Sequence, residues 1–376
     1  MPTTNLFGQG TILEVGKYLV QFESKKTLLV TDEGLYNLGI ADQIANIIRE
    51  ANVEVEIFPK AEPNPTDKNV HDGIAAYKAA GCDSIVSLGG GSSHDAAKGI
   101  GLLASNGGRI HDYEGVDKSE SPLVPYIAIN TTAGTASEMT RFTIITDTER
   151  SVKMAIVDKH VTALVSINDP TLMIGLPPAL TAATGVDALT HAVESYVSTN
   201  ASPITDACAE KVFQIIPKYL PRAYSNGEDF EAREQMVYAQ FLAGMAFNNA
   251  SLGYVHAIAH QLGGFYNYPH GVCNAILLPH VCRFNLVGRE ERFARIAELL
   301  GENIEGLSVR EAAEVAVSRI ELLTQDLNIP TGFKELGARE EDIQILAENA
   351  MKDVCAATNP RKATLEDVME IIHQAY

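Results

Sequence analysis

With 376 residues the chain is long for a single compact core and points to two domains, each able to bury its own apolar interior. Hydrophobic residues make up 46% of it and charged residues 20%, which excludes a disordered or fibrous chain. The 48 acidic against 29 basic residues give a formal charge of −19, which repels polyanions and argues against nucleic acid and anionic membrane as partners.

The first residues, MPTTNLFGQG, lack a charged segment followed by an apolar stretch, and no later run approaches the ~20 apolar residues of a membrane span. A cytoplasmic protein is expected. The first half then alternates strands with amphipathic helices. KKTLLVTD, VEVEIFP, DSIVSLGG, PYIAINT and ALVSIND read as strands, mostly the continuous apolar runs of a parallel sheet covered on both faces. LGIADQIANIIREAN, KNVHDGIAAYKAAG and SHDAAKGIGLLASNGG read as the intervening helices, so a doubly wound, Rossmann-like α/β domain is expected. FTIITDTERSVKMAIVD departs from this order and reads as a hairpin about Asp147-Thr148-Glu149-Arg150. After Pro177-Pro178 the pattern turns to long 3.6-residue periodicity, as in LTAATGVDALTHAVESYV and EAREQMVYAQFLAGMAF. The expected organisation is an α/β dinucleotide-binding domain over residues 1–179 and an all-helical domain over 180–376. The five cysteines are scattered, odd in number and without a CxxC pair, so they read as reduced core thiols.

Two segments that leave strand ends carry the signature of a nucleotide site. Gly89-Gly90-Gly91-Ser92-Ser93 opens a helix bearing Asp95 and Lys98. Glycines let the backbone approach a pyrophosphate, and the free N–H groups of a helix start favour the anion. The segment is neither GxGxxG nor a P-loop, and a plain tight turn is the alternative. Residues 130–138, NTTAGTASE, add hydroxyls from Thr131, Thr132 and Thr135, or serve as a helix cap. Asp32, ending LLVTD, is placed to accept from an adenosine ribose and to repel a 2′-phosphate, which favours NAD over NADP; it is equally placed to cap the next helix.

The second half concentrates imidazoles. Asp187 and His191 stand at i and i+4 of one predicted helix, close enough for one ion or for a plain ion pair, and Glu194 lies near the same stripe. Residues 251–280 add His256 and His260, one turn apart on a helix expected to end at Gly263-Gly264, then His270 and His280. Four histidines among Ala, Ile, Leu and Gly point to convergence on a ligand. An Asp with three imidazoles suits zinc or ferrous iron. Spacing leaves open whether His256 or His260 is the ligand, and His280 reads as structural.

The motifs PNPT (63–66), GGGSSHDAAK (89–98), TTAGTASE (131–138), ATGVDALTHAVE (183–194) and GMAFNNASLGYVHAIAHQLGGFYNYPHG (244–271) together resemble the iron-containing, group III alcohol dehydrogenases. Their fold is an α/β Rossmann-like domain followed by an all-α domain, as in dehydroquinate synthase. The resemblance implies that Asp187, His191, His256 and His270 hold one divalent metal, Fe2+ with Zn2+ or Mn2+ as alternatives. It leaves His260 unliganded beside the substrate as a proton relay. It also implies that Asp32 and Asn64 contact the adenosine side of NAD, that Gly91 and Ser92 hold the pyrophosphate, and that Thr132, Thr135 and Lys153 line the remaining cofactor site. Gly90, Asp95 and Thr131, in the same two loops, complete the expected set. The wording is similar to that of the 1,3-propanediol and methanol dehydrogenase branches, which implies NAD-dependent interconversion of primary alcohols or diols with aldehydes by a homo-oligomer, a dimer or a decamer.

Two other classes stand beside this one. A lyase of the dehydroquinate synthase type needs several Lys and Arg for an anionic substrate, and residues 244–271 contain none. A non-catalytic metal or cofactor sensor would be marked by a lost ligand, and all four positions are filled.

Overall fold

The apolar runs near the start of the chain pair into one parallel sheet. A computed structural model describes residues 1–150 and 152–376. Its strands are β1 (Thr4–Phe7), β2 (Lys26–Val30), β3 (Glu54–Phe58), β4 (Ser84–Gly89), β5 (Gly115–Val116), β6 (Tyr126–Asn130), β7 (Phe142–Asp147), β8 (Val152–Val157) and β9 (Val165–Asn168). Six of them form a sheet in the order β1-β9-β6-β4-β2-β3, all pairs parallel. Strand side chains alternate between faces, and here both faces are covered. Leu28, Val30, Ile85, Tyr126 and Ala128 enter one apolar core, while Leu29, Val86, Ile127 and Ile129 enter the other.

The helices of this part are α1 (Val15–Gln21), α2 (Glu33–Asn37), α3 (Ile40–Glu50), α4 (Asp67–Ala80) and α5 (Gly91–Asn106). Helices α1 and α3 supply Val15, Leu19, Ile44 and Ile48 to one core, and α4 and α5 supply Val70, Ile74 and Ile100 to the other. Strands β7 and β8 form the expected antiparallel hairpin, and the two residues of β5 pair parallel to β8. The short strands β1 and β5 and the helices α1 and α2 carry no long apolar run, and sequence periodicity did not mark them.

The remaining helices are α6 (Pro178–Val197), α7 (Pro203–Ser225), α8 (Phe230–Ala250), α9 (Tyr254–Tyr266), α10 (His270–Asn285), α11 (Glu290–Leu299), α12 (Val309–Asp326), α13 (Ile343–Ala350) and α14 (Leu365–Gln374). Helix α6 packs against α7, α8 and α10 and is buried along its whole second half, so it is the axis of the helical part. One expectation is corrected here: α9 does not stop at Gly263-Gly264 but runs to Tyr266, and Asn267, at φ 57°, ends it in the left-handed conformation. Burial of α9 on every side over residues 254–260, with Leu262 and Gly263 also buried, outweighs the ~1 kcal/mol that a glycine costs inside a helix. By contacts the chain divides into two units, Met1–Thr132 with Ala136–Met173, and Ala133–Thr135 with Ile174–Tyr376. Among the described residues no helix is long and apolar enough to cross a membrane.

Candidate active site

In the first unit β2, β4 and β6 are parallel neighbours, so the segments leaving them emerge at one edge of the sheet. Asp32 follows β2, Gly90 to Ser92 follow β4, and Thr131 and Thr132 follow β6. Between β2 and β4 the order of connections reverses, which is where open α/β sheets bind ligands. Gly90 precedes the first turn of α5, and its backbone lies so near Thr132 that a Cβ there would sit 2.9 Å from the Thr132 Oγ1 and Cγ2. The close approach needs glycine, and it leaves the N–H groups of Gly91 and Ser92 at a helix start. Asp32 caps α2, its Oδ1 accepting from the Leu35 N–H at 2.9 Å. Its Oδ2 turns toward Gly89, 3.6 Å from where a Cβ would stand, so the cap leaves one oxygen facing the glycine loop.

The other cofactor candidates of this unit are spread around that edge. Asn64, at φ 53°, is held against the hairpin, its carbonyl accepting from the Thr146 hydroxyl at 3.4 Å. Lys153 lies on β8 opposite Thr146. Asp95 is committed inside the unit: it accepts from the Ser137 hydroxyl at 2.7 Å and the Ile144 N–H at 3.1 Å, fastening α5 to β7. Burial raises its carboxyl above the usual range, against the pull of Lys98 and Lys153. Lys98, fully buried, donates to Ser137 Oγ and to the carbonyls of Thr140 and Phe142, and burial brings its pKa down to about 8. Thr135 belongs to the second unit, and Thr131 and Thr132 to the first.

In the second unit Asp187 and His191 lie one turn apart on α6, 1% and 4% exposed. Helix α9 brings His256 and α10 brings His270 to the same place. Asp187 Oδ1 is 4.0 Å from His191 Nε2 and 3.8 Å from the Nε2 of both His256 and His270. The Nε2 atoms of His191 and His256 are 3.0 Å apart. A tetrahedral ion with bonds of about 2.0–2.2 Å sets its ligand atoms roughly 3.3–3.6 Å apart. Asp187, His256 and His270 offer donor atoms that all lie within 4.8 Å of one another, and His191 adjoins this group through His256 and Asp187, a donor chemistry that suits zinc or ferrous iron. Burial lowers the His191 pKa to about 4, which keeps its ring neutral, as a ligand must be. His270 opens α10, where Gly271 presses against α6: a Cβ on it would stand 2.5 Å from the Ala183 carbonyl oxygen.

His260 does not join that set. Its Nδ1 lies 2.9 Å from Asp353 Oδ2, and its ring stacks on His270 at 5.6 Å between centroids. The ambiguity between His256 and His260 that spacing left open is thus a difference of place: one faces Asp187, the other Asp353. His280 is inside α10, partly buried, and its pKa is lowered by burial.

Two contributors, Asn274 and Asp353, had no reading in the sequence, and a third, Glu194, had only its nearness noted. Asn274 Nδ2 donates to Asp187 Oδ1 at 2.7 Å and lies 3.1 and 3.0 Å from the Nε2 of His256 and His270. Its position four residues after His270 on a helix was the available signal. Glu194 takes His256 Nδ1 at 2.5 Å, and its place on the α6 stripe, noted only as nearness, was the signal there. Asp353 lies 93 residues from His260, and no spacing rule spans that distance.

The chain matches the family described as iron-containing alcohol dehydrogenase over residues 2–170, and the C-terminal part of the Fe-containing alcohol dehydrogenase family over residues 181–376. It is 53% identical over 375 residues to the NAD-dependent methanol dehydrogenase of Bacillus methanolicus, covering 100% of this chain and 98% of that protein. It is 52% identical over 378 residues to the 1,3-propanediol dehydrogenase of Klebsiella pneumoniae, covering 100% of this chain and 98% of that one. The solved alcohol dehydrogenase from Oenococcus oeni superposes with a TM-score of 0.98 at 46% identity, covering 100% of this chain and 99% of that chain. The chain therefore belongs to the iron-containing alcohol dehydrogenase family.

Proposed function

We propose that this protein interconverts primary alcohols or diols and their aldehydes with NAD, using one divalent metal held by Asp187, His191, His256 and His270. The observation that carries the reading is the meeting of Asp187 Oδ1 with three imidazole Nε2 atoms from α6, α9 and α10, where Asp187, His191 and His256 are buried and His270 is partly exposed. An alcohol proton is too basic to leave near neutral pH; when bound, a divalent ion stabilises negative charge on the alcohol oxygen and so favours departure of hydride from the carbinol carbon. Iron is the metal in the family's name, and the same donors accept zinc or manganese.

The chain's own groups do the rest. His260, with Nδ1–H donated to Asp353, keeps Nε2 to take the hydroxyl proton and pass it outward. The N–H groups of Gly90, Gly91 and Ser92 hold the pyrophosphate of NAD, and Asp32 Oδ2 accepts from a ribose hydroxyl and repels a 2′-phosphate. Asn64, Asp95, Thr131, Thr132, Thr135 and Lys153 complete the cofactor surroundings, Asp95 by fixing the loop. Cofactor binding belongs to residues 1–179 and metal binding to 180–376. The protein acts as a cytoplasmic homo-oligomer, a dimer or a decamer, which light scattering on the purified chain measures.

The test is NADH formation by metal-loaded protein from a panel of primary alcohols and diols, with NAD and NADP in parallel and the metal measured by elemental analysis. The reading requires turnover with NAD that rises with metal occupancy. Failure of every alcohol and every aldehyde at full occupancy overturns it.

A further inference from the structure

Helix α9 begins against a buried carboxylate that comes from another helix. Glu194, 3% exposed, stands on α6 three residues after His191 and seven after Asp187, so all three side chains share one stripe. Its Oε1 accepts from the Val255 N–H at 2.7 Å, and the Gly253 N–H is a further backbone donor to it. Its Oε2 meets His256 Nδ1 at 2.5 Å. Gly253 has no cap of its own to offer α9, and a Cβ on it would stand 3.0 Å from Glu194 Oε1. Glycine at that position lets the carboxylate come up to the first N–H groups of α9, where the positive end of the helix favours it.

We propose that Glu194 is a positioning residue for the metal: by accepting from His256 Nδ1–H it fixes the imidazole tautomer whose Nε2 lone pair faces Asp187, His191 and His270. An imidazole can bind a metal only through an unprotonated nitrogen, and a carboxylate on the other nitrogen sets which one that is and makes it more basic. Glu194 is thus the outer half of a carboxylate–imidazole–metal line, and it joins the helix that carries two ligands to the helix that carries the third. Glu194 meets the His256 ring on its Nδ1 side, and Asp187 lies 3.8 Å from the Nε2 on the other side. This rests on the metal reading given above and extends it to a residue outside the ligand set.

Glu194→Gln is nearly isosteric but cannot satisfy every donor. If its Oε1 keeps the Val255 N–H, its amide nitrogen faces His256 Nδ1 and drives the ring to the tautomer protonated at Nε2. If it flips, the start of α9 loses its acceptor instead. Two measurements follow, neither of them enzymatic activity. Chelator competition on the purified full chain, with zinc as the probe ion, is expected to give a 10–100-fold weaker affinity for Glu194→Gln. NMR of ring 15N nuclei in wild-type protein stripped of metal is expected to find His256 protonated at Nδ1. A role confined to capping α9 would lower the Tm of the stripped protein and leave the zinc affinity of the folded fraction within twofold of wild type, and that result overturns the proposal. So does a wild-type His256 protonated at Nε2, which decides the matter even if the variant does not fold. If wild-type protein itself binds no zinc, the metal reading falls together with this one; if wild type binds and the variant binds equally, only this one falls.

Discussion

The glycine edge of the sheet and the imidazole cluster of the helical unit are built for the proposed recognition in opposite ways. At the sheet edge the residues matter for what they lack: Gly90 brings backbone N–H groups forward because no Cβ stands between it and Thr132. In the cluster they matter for what they carry, since Asp187, His191, His256 and His270 each offer one donor atom, all but the partly exposed His270 buried. The first site is damaged by adding a methyl group, the second by removing a nitrogen. Substitutions in the two should therefore separate cofactor binding from metal binding, and each expected outcome below is a way to break that separation.

The largest effect is expected from His256→Ala, which removes a buried member of the proposed ligand set. Bound metal and turnover should both fall by more than about 10³-fold, since a buried site short of one donor no longer closes around the ion. NAD affinity, read by fluorescence titration, should stay within a factor of about three if the two sites are separate. Gly90→Ala should do the reverse. The added Cβ meets Thr132 at 2.9 Å, and overpacking of about 1–3 kcal/mol translates into roughly 10–100-fold weaker NAD binding. Its metal content should not change, and a loss of metal in this variant would break the comparison.

A third expectation concerns stability rather than binding. His94, fully buried on α5, meets the Ser87 hydroxyl at 2.7 Å, and burial pushes its pKa down to about 3. The unfolded chain takes up a proton as pH falls below about 6.5, whereas the folded one resists until about 3, so stability present at neutral pH is lost across that window. Between pH 6 and 4 the loss from this one group is on the order of 2 kcal/mol, and urea unfolding of His94→Gln should show a correspondingly flatter pH profile. An unchanged profile would show that His94 takes up its proton as readily in the fold as in the unfolded chain. The smallest effect is expected at Asp32. Asp32→Asn keeps the cap on α2 but removes the charge proposed to repel a 2′-phosphate, so the preference for NAD over NADP should shrink by roughly 5–30-fold with little change in Tm.

Much of this was legible in the residues because both sites are built on regular periodicity. The strands β2, β4, β6 and β9 read as apolar runs because both faces of the sheet are covered, and Asp187 and His191 read as a pair because α6 has 3.6 residues per turn. What escaped lies where contact does not follow spacing. Asp353 reaches His260 across 93 residues, and the edge strand β1 is paired by β9 across most of the first unit. The end of α9 was misplaced because Gly263-Gly264 is a stop signal only when packing does not hold the helix together, and here α9 is buried on every side over residues 254–260. Asp32 gave two readings, cap and ribose acceptor, and its two oxygens divide between a capping bond and the side facing Gly89.

The central claim is that one ion sits among Asp187, His191, His256 and His270. Anomalous scattering from crystals grown with ferrous iron or zinc tests it most directly, because among the described residues the second unit holds two groups of close donors, Asp187 with His256 and His270, and His260 with Asp353 and Cys355. The account predicts one peak, within about 2.0–2.2 Å of Asp187 and of the Nε2 atoms of the three imidazoles. A peak at His260, Asp353 and Cys355 instead, or at neither group, would contradict it.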